Sequence, residues 1–220
     1  MSGVRQSRFD QNSCKEANRT QISSALKGIA FGSILLAASV AQAADTFKFD
    51  KGHTEVRFEW NHVGLSTRSG EFHDVDGSVV FDKAKLANSK LDVTIKADSI
   101  DTGVDRLDAH LKNEDFFNVA KHSVITFKST GVKQTAVDRG QITGDLTMNG
   151  VTKSVTLDVA LLFEGTHPLA PYIKAYASAP YVAFSGRTSV LRSDFNLGKF
   201  APLTSDRIDI IIEPKIRRAE

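Results

Sequence analysis

Residues 141–163, with the sequence QITGDLTMNGVTKSVTLDVALLF, decide the fold class of this 220-residue chain. Apolar and polar residues alternate on both sides of Asn149-Gly150. Alternation with a period of two is typical of a strand that has one face on a core and the other in water. Asn-Gly supplies the positive φ angles of a type I′ turn. The segment therefore predicts an antiparallel β-hairpin.

The same alternation recurs along the chain and predicts roughly eight strands. A weaker turn is predicted at Asp76-Gly77, before a strand at 78–81. Many antiparallel strands, each exposed on one face, must stack as a sandwich or close as a barrel. The further predicted strands are 54–60, 91–96 and segments near 122–130, 181–193 and 206–216.

One helix is predicted, because Val104, Leu107 and Leu111 share a helical face. Asp101 or Thr102 is the expected N-cap, and a second short helical turn is expected around Phe116 and Phe117. These apolar residues either form a lid over an apolar interior or plug it as ordinary core. Prolines at 168, 171 and 180 predict a loop between residues 165 and 180.

The N-terminal 43 residues have the parts of a secretory signal peptide. Lys27 precedes an apolar stretch of about 13 residues, and Ala41-Gln42-Ala43 follows as a cleavage site. A membrane span needs about 20 residues, so an uncleaved anchor is the weaker alternative. We therefore expect residues 44–220 to form one exported domain with no integral membrane span after cleavage, located in the periplasm.

Removing this leader changes the charge and the redox chemistry of the chain. It carries five Lys/Arg and two Asp/Glu, so the formal net charge falls from +2 to −1. Nucleic-acid binding then loses its electrostatic support. Cys14, the only cysteine, leaves with the leader, so neither a disulfide nor a lipoprotein anchor is expected. The sequence leaves open whether the domain pairs as a homodimer.

Several motifs follow one another between residues 45 and 216: DKGHTEVRF (50–58), HVGLS (62–66), GEF (70–72), SIDT (99–102), DAHLKNEDFFNVAKHSVITFKS (108–129), GDLTMNGVT (144–152) and LRSDF (191–195). In this order they resemble the motifs of the YceI family of secreted lipid-binding proteins. The resemblance implies an all-β, extended, antiparallel eight-stranded lipocalin-like barrel, with one or two short helices at an end. It also implies a polyisoprenoid or similar long-chain fatty amphiphile in the lumen, and it transfers no catalytic residue. Two features depart from the family pattern. Thr54 stands where a serine is usual, and the 165–180 loop is longer than in many relatives.

The predicted ligand-binding residues are mainly the apolar faces of the strands and the helix segment. Their other interpretation is a core in which they contact only one another. Glycines 144 and 186 are expected to leave room in the lumen, and Arg192 either meets a head group or pairs with Asp194. The predicted ligand-binding residues are Val56, Phe58, Trp60, Val93, Ile95, Leu111, Phe116, Phe117, Phe127, Leu146, Met148, Leu157, Phe184 and Arg192.

Catalysis, metal binding and membrane insertion have less support in the sequence. The six histidines form no recognised ligand pair, so no metal is expected. No cofactor is expected either, apart from a bound isoprenoid lipid or isoprenoid quinone as ligand. An enzyme modifying or hydrolysing an isoprenoid head group stays the alternative, and it would need His62 to meet a serine or a carboxylate. An outer-membrane barrel would require apolar residues facing outward, whereas here the opposite face is charged.

Overall fold

Ten β-strands form one antiparallel sheet that closes on itself, in a computed structural model that describes residues 44–219. The predicted signal peptide at 1–43 lies outside the described residues. One α-helix, α1 (Asp105–Lys112), and short 3-10 turns connect the strands. The strands are β1 (Asp45–His62), β2 (Ser66–Phe72), β3 (Val75–Phe81), β4 (Lys90–Lys96), β5 (Ile100–Asp101), β6 (Val124–Ala136), β7 (Arg139–Met148), β8 (Val151–Gly165), β9 (Tyr181–Leu191) and β10 (Arg207–Arg218).

The first and last strands close the barrel. β1 pairs with β10 from Phe47↔Arg218 to Glu59↔Asp209, with one register shift between Phe49 and Thr54. β2 pairs with the second half of β1 and β3 with the first half, so β2 and β3 act as two halves of one long strand. The two-residue β5 pairs with β2 outside the ring. The closed barrel therefore has eight strands, as predicted.

The two ends of the barrel differ in their connections. At one end, which we call the helix end, lie the β1–β2 turn, α1, the β7–β8 turn and the connection from β9 to β10. At the other, the terminal end, lie the β3–β4 and β6–β7 turns, the 166–180 loop and the outer ends of β1 and β10. None of the helices within residues 44–219 has the length and hydropathy to span a membrane.

The predicted hairpin is confirmed, and one predicted turn is wrong. Asn149 and Gly150 have φ angles of 49° and 75° between β7 and β8, as a type I′ turn requires. Asp76-Gly77 lies inside β3 rather than at a turn. Its glycine is needed for another reason: a Cβ on Gly77 would lie 3.0 Å from the ring of Phe49 on β1.

The helix forms where it was predicted, but its N-terminus differs. Val104 occupies the N-cap position, and no side chain caps the helix. Thr102 instead donates to the Asp108 carboxylate from its backbone N–H (2.9 Å) and its hydroxyl (2.6 Å), which ties the first turn of α1 to the preceding segment. Phe116 lies in a hydrogen-bonded turn and not in a second helix.

Phenylalanine rings lie over glycines of neighbouring strands. A Cβ on Gly70 would lie 2.5 Å from Cζ of Phe58, its partner across β1 and β2. A Cβ on Gly144 would lie 2.4 Å from Cζ of Phe127 and 2.6 Å from the carbonyl oxygen of Lys128. The expectation that Gly144 leaves open room in the lumen is therefore wrong. Its space holds the Phe127 ring, which lies against the barrel wall for that reason.

Gly144→Ala should lower the free energy of unfolding by about 1–3 kcal/mol, because the new methyl group would overlap a ring and a backbone carbonyl. The matched control is Gly131→Ala on the adjacent strand, where a Cβ meets no atom within 4 Å. That control should change the free energy of unfolding by no more than about 0.5 kcal/mol. Urea unfolding measures both, and equal effects would contradict the glycine–ring packing.

Candidate functional site

The barrel interior contains two cavities that meet near its middle. The larger, of about 480 Å³, lies at the helix end. The smaller, of about 370 Å³, extends to the terminal end. Phe58, Phe72, Met148 and Ile210 line both cavities and form the boundary between them. Each volume falls within the roughly 300–1,000 Å³ of pockets that bind small molecules. The side chains of the barrel therefore leave its interior partly unfilled.

The larger cavity has apolar walls and a cationic opening. Phe58, Trp60 and Phe72 supply aromatic surface, and α1 and the segment after it cover the helix end. Among the described residues, no aspartate or glutamate lines this cavity. Its ionisable lining side chains are His62, Arg68, His110, Arg192 and Lys199.

The smaller cavity is apolar along the strands and charged only at its outer end. Aliphatic and aromatic side chains from every strand of the closed ring form its walls. The charged residues come from the strand ends and turns at the terminal end of the barrel. They are Lys83, Lys90, Lys133, Asp138 and Arg139.

All fourteen predicted ligand-binding residues lie on the walls of these cavities. Their contact with a ligand stays a prediction, but they do enclose one continuous region. Phe58 and Met148 line both cavities. The larger cavity is lined by Trp60, Leu111, Phe116, Phe117 and Arg192, and the smaller by Val56, Val93, Ile95, Phe127, Leu146, Leu157 and Phe184.

The helix segment covers the larger cavity without filling it. Leu107 and Leu111 of α1 line the cavity beside Phe116 and Phe117. The Phe117 ring packs edge-on against Phe72, with centroids 5.8 Å apart, and so connects the cover to the barrel wall. This arrangement matches a lid over an apolar space more closely than a solid plug.

Arg192 organises the loop between β9 and β10. Its Nε donates to the carbonyl of Ser205 (2.9 Å), and its two terminal nitrogens donate to the carbonyls of Leu197 (2.8 Å) and Thr204 (2.9 Å). The expected pairing with Asp194 is not formed, since Asp194 lies 3.9 Å from the Lys153 ammonium. Burial lowers the pKa of Arg192, although the charge of Asp206 opposes that shift.

The sequence-based predictions missed part of the cavity wall for three different reasons. Val79 and Phe81 follow the alternation of β3, but the mistaken turn at Asp76-Gly77 obscured it. Phe200 and Thr204 come from an irregular loop, where no periodicity could reveal that they face a cavity. Phe72 lines both cavities, but the sequence shows it only within the family motif GEF, which does not indicate a place on the cavity wall.

Two histidine–carboxylate pairs lie away from the lumen, whereas His110, which lines the larger cavity, lies 3.6 Å from the Asp115 carboxylate. His53 lies 2.9 Å from the Asp50 carboxylate, and His73 lies 3.0 Å from the Asp101 carboxylate. His62 lines the larger cavity but has no serine or carboxylate hydrogen-bond partner among residues 44–219. Within the same range, no three His, Cys, Asp or Glu side chains are grouped to hold a metal ion.

Comparison with known proteins identifies the family. Residues 47–216 match the YceI-like domain. The chain belongs to the YceI family. A UPF0312 protein of Azotobacter vinelandii is 40% identical over 188 residues, which cover 85% of this chain and 94% of the relative.

Solved structures of other proteins have a similar fold. BcnA of Burkholderia cenocepacia superposes with a TM-score of 0.67, at 23% identity, over 76% of this chain and 98% of that one. A polyisoprenoid-binding domain from Saccharophagus degradans, implicated in plant cell wall breakdown, superposes with a TM-score of 0.56, at 13% identity, over 81% of this chain and 100% of that one. At these identities the two likenesses establish the fold alone.

Arg192→Met should lower the free energy of unfolding by about 2–3 kcal/mol, because several loop carbonyls lose a charged donor. The melting temperature should fall by about 4–12 °C. Arg192→Lys should recover little, since an ammonium cannot reproduce the planar fork. Calorimetry measures these changes.

The control is Arg187→Met on β9, where the exposed side chain has no hydrogen bond or ion pair with any described residue. We expect a near-unchanged melting temperature for this variant. A similar loss for the two arginine-to-methionine variants would contradict the role assigned to Arg192.

Proposed function

We propose that this protein is a non-catalytic carrier that holds a polyisoprenoid, or a similar long-chain amphiphile, in the barrel lumen. The observation that carries the proposal is the pair of adjoining apolar cavities inside a closed barrel. Membership of the YceI family, and likeness in fold to a polyisoprenoid-binding domain, support the ligand class. An isoprenoid quinone also combines a long isoprenoid tail with a more polar head group, so it is a candidate ligand.

The physical argument favours a ligand with a long apolar tail. Burial of one methylene contributes about 0.8 kcal/mol. A tail of about 15–20 carbons then contributes about 12–16 kcal/mol before the cost of ordering it. A short polar metabolite could not use this contribution, because it has little apolar surface to bury against the walls of the lumen.

The distribution of polar groups sets the direction of the ligand in this proposal. The tail extends through the boundary at Phe58 and Met148 into the smaller cavity. The head group stays at the helix end, beside His62, Arg68 and Lys199. Arg192 has most of its donors occupied by loop carbonyls, so it holds the site in shape and is not the main head-group ligand.

Binding without catalysis fits the surroundings of His62. A hydrolase would require a base next to a nucleophile or a second carboxylate. In the described part of the chain, His62 has neither as a hydrogen-bond partner. The leader-like sequence at 1–43 supports export, and the periplasm is the compartment in which we propose that the carrier works.

Mass spectrometry of organic extracts tests this function. The protein is expressed with its own leader, purified from the periplasmic fraction of a Gram-negative host, and extracted with solvent. We expect an intact long-chain prenyl compound in near-stoichiometric amount. An empty extract, together with no uptake of added prenols, would overturn the proposal, and recovery of a cleaved or modified prenol would favour the enzyme.

Met148→Trp should narrow the boundary between the two cavities and confine a ligand to one of them. Long prenols should bind at least about tenfold more weakly, because several methylenes lose burial. Short prenols that fit the larger cavity should bind as before. Fluorescence titration with prenols of increasing length measures the effect.

The matched control is Asp145→Trp, which adds the same side chain to the outer face of β7. Prenols of every length should bind this variant as they bind the unaltered protein. Full-strength binding of long prenols to Met148→Trp would contradict the path through the boundary.

A further inference from the structure

Exposed apolar side chains surround the opening of the larger cavity. Leu65 is 86% exposed and Leu203 is 70% exposed, although both are large aliphatic residues. Clustered apolar exposure of this kind marks an interaction surface, whereas scattered single residues do not. We call this set the apolar rim, and its members are Val63, Leu65, Val104, Phe200 and Leu203.

Backbone hydrogen bonds hold the two loops of the rim together. The Val63 N–H donates to the Leu203 carbonyl (2.9 Å), and the Ser205 N–H donates to the Asn61 carbonyl (2.9 Å). His62 and Thr204 form an isolated β-bridge between the same loops. The β1–β2 turn and the β9–β10 connection therefore present their apolar side chains as one surface.

The rim is continuous with the wall of the larger cavity. Val104 and Phe200 are half exposed, and both also line that cavity. The Phe200 ring lies 6.1 Å from the ring of Phe116, which belongs to the cover of the helix end. A molecule in contact with the rim would thus be in contact with the entrance to the lumen.

Two of the three segments that carry the rim are basic, and the third, at Val104, continues into α1 through Asp105 and Arg106. Residues 61–70 and 196–205 contain Arg68 and Lys199 and no aspartate or glutamate. The side chain of Arg68 forms no hydrogen bond or ion pair with any residue that the structure describes, so its charge is available to a partner. Lys199 pairs with Asp115 and also lies 5.5 Å from the centroid of the Phe200 ring. Apolar side chains beside cations are the combination that binds the interface of an anionic bilayer.

We propose that the apolar rim docks the barrel onto an anionic lipid bilayer, so that a lipid passes between the bilayer and the lumen. This inference rests on the proposed function. In the docked state the rim side chains enter the head-group region, and Arg68 lies against lipid phosphates. The apolar tail then moves from one apolar medium to another without crossing water, which removes most of the barrier to transfer.

The terminal end offers a comparison within the same molecule. Val137 is 96% exposed and Tyr172 is 85% exposed, so this end also has apolar side chains at its surface. Tyr172 lines neither cavity, whereas Val137 lines the outer end of the smaller cavity and is followed directly by Asp138. Substitutions at these two positions remove comparable apolar surface from the opposite end, and they serve as matched controls.

Flotation with unilamellar vesicles tests the docking. The periplasmic form of the full chain is mixed with phosphatidylcholine vesicles, with or without a minority of phosphatidylglycerol. The Leu65→Ser/Leu203→Ser variant should bind both vesicle types about tenfold more weakly. Arg68→Gln should lose about fivefold on the anionic vesicles and little on the neutral ones. Val137→Ser and Tyr172→Ser should bind as the unaltered protein does.

Transfer of a fluorescent prenol from vesicles to protein gives a second measurement. Leu65→Ser/Leu203→Ser should slow the transfer about tenfold, in proportion to its lost docking. The amount of prenol bound at equilibrium should stay unchanged, because the cavity walls are intact. Melting temperatures confirm that each variant is folded, and these side chains contribute little to the core because they are exposed.

The outcomes separate the docking surface from the lumen function. Prenol binding in vesicle-free solution, without vesicle binding by the unaltered protein, would overturn the docking proposal and leave the carrier function in place. Equal losses for Val137→Ser and Leu65→Ser/Leu203→Ser would also overturn it, since docking would then have no preference for the helix end. Rim-dependent vesicle binding without any prenol uptake would instead refute the carrier function.

Discussion

Pairing between β1 and β10 is the constraint on which the rest of this structure depends. It joins the two ends of the described chain along most of both strands, and it removes the free edges that an open sheet would expose. Once the sheet is closed, every inward side chain points into a common interior. An eight-stranded ring is just wide enough either to be filled by side chains or to hold one slender ligand. The interior packing decides between these two outcomes.

Glycines on the wall favour the partly unfilled outcome. Gly70 lets the ring of Phe58 lie against the neighbouring strand, and Gly144 does the same for Phe127. Rings held in this way contribute apolar surface without blocking the middle of the barrel. The same packing fixes strand register, since each ring needs its glycine opposite or diagonal to it. Stability and an open lumen thus come from the same contacts.

The asymmetry of the two ends gives the barrel a direction. A half-buried arginine, Arg192, holds the connection between β9 and β10 at the helix end, because it donates to the carbonyls of Leu197, Thr204 and Ser205. That connection brings Phe200 and Lys199 to the opening of the larger cavity. In our proposals the head group of the ligand and the membrane surface both meet the protein here, while the apolar tail extends toward the terminal end.

The sequence by itself determined most of the strands, the type I′ hairpin at Asn149-Gly150, and the apolar face of each predicted strand, because a period of two and turn chemistry are local properties. It did not predict β2 or the two-residue β5. It could not predict the role of Gly77, because that role depends on the Phe49 ring of another strand. Nor could it predict the partners of Arg192, which are carbonyls of a loop that tertiary contacts fold back. The local sequence encodes which side chains point into the barrel, but it does not encode whether those side chains leave empty space between them. Whether inward side chains meet across the barrel or lie along its wall depends on closure and register, and only the tertiary structure decided it.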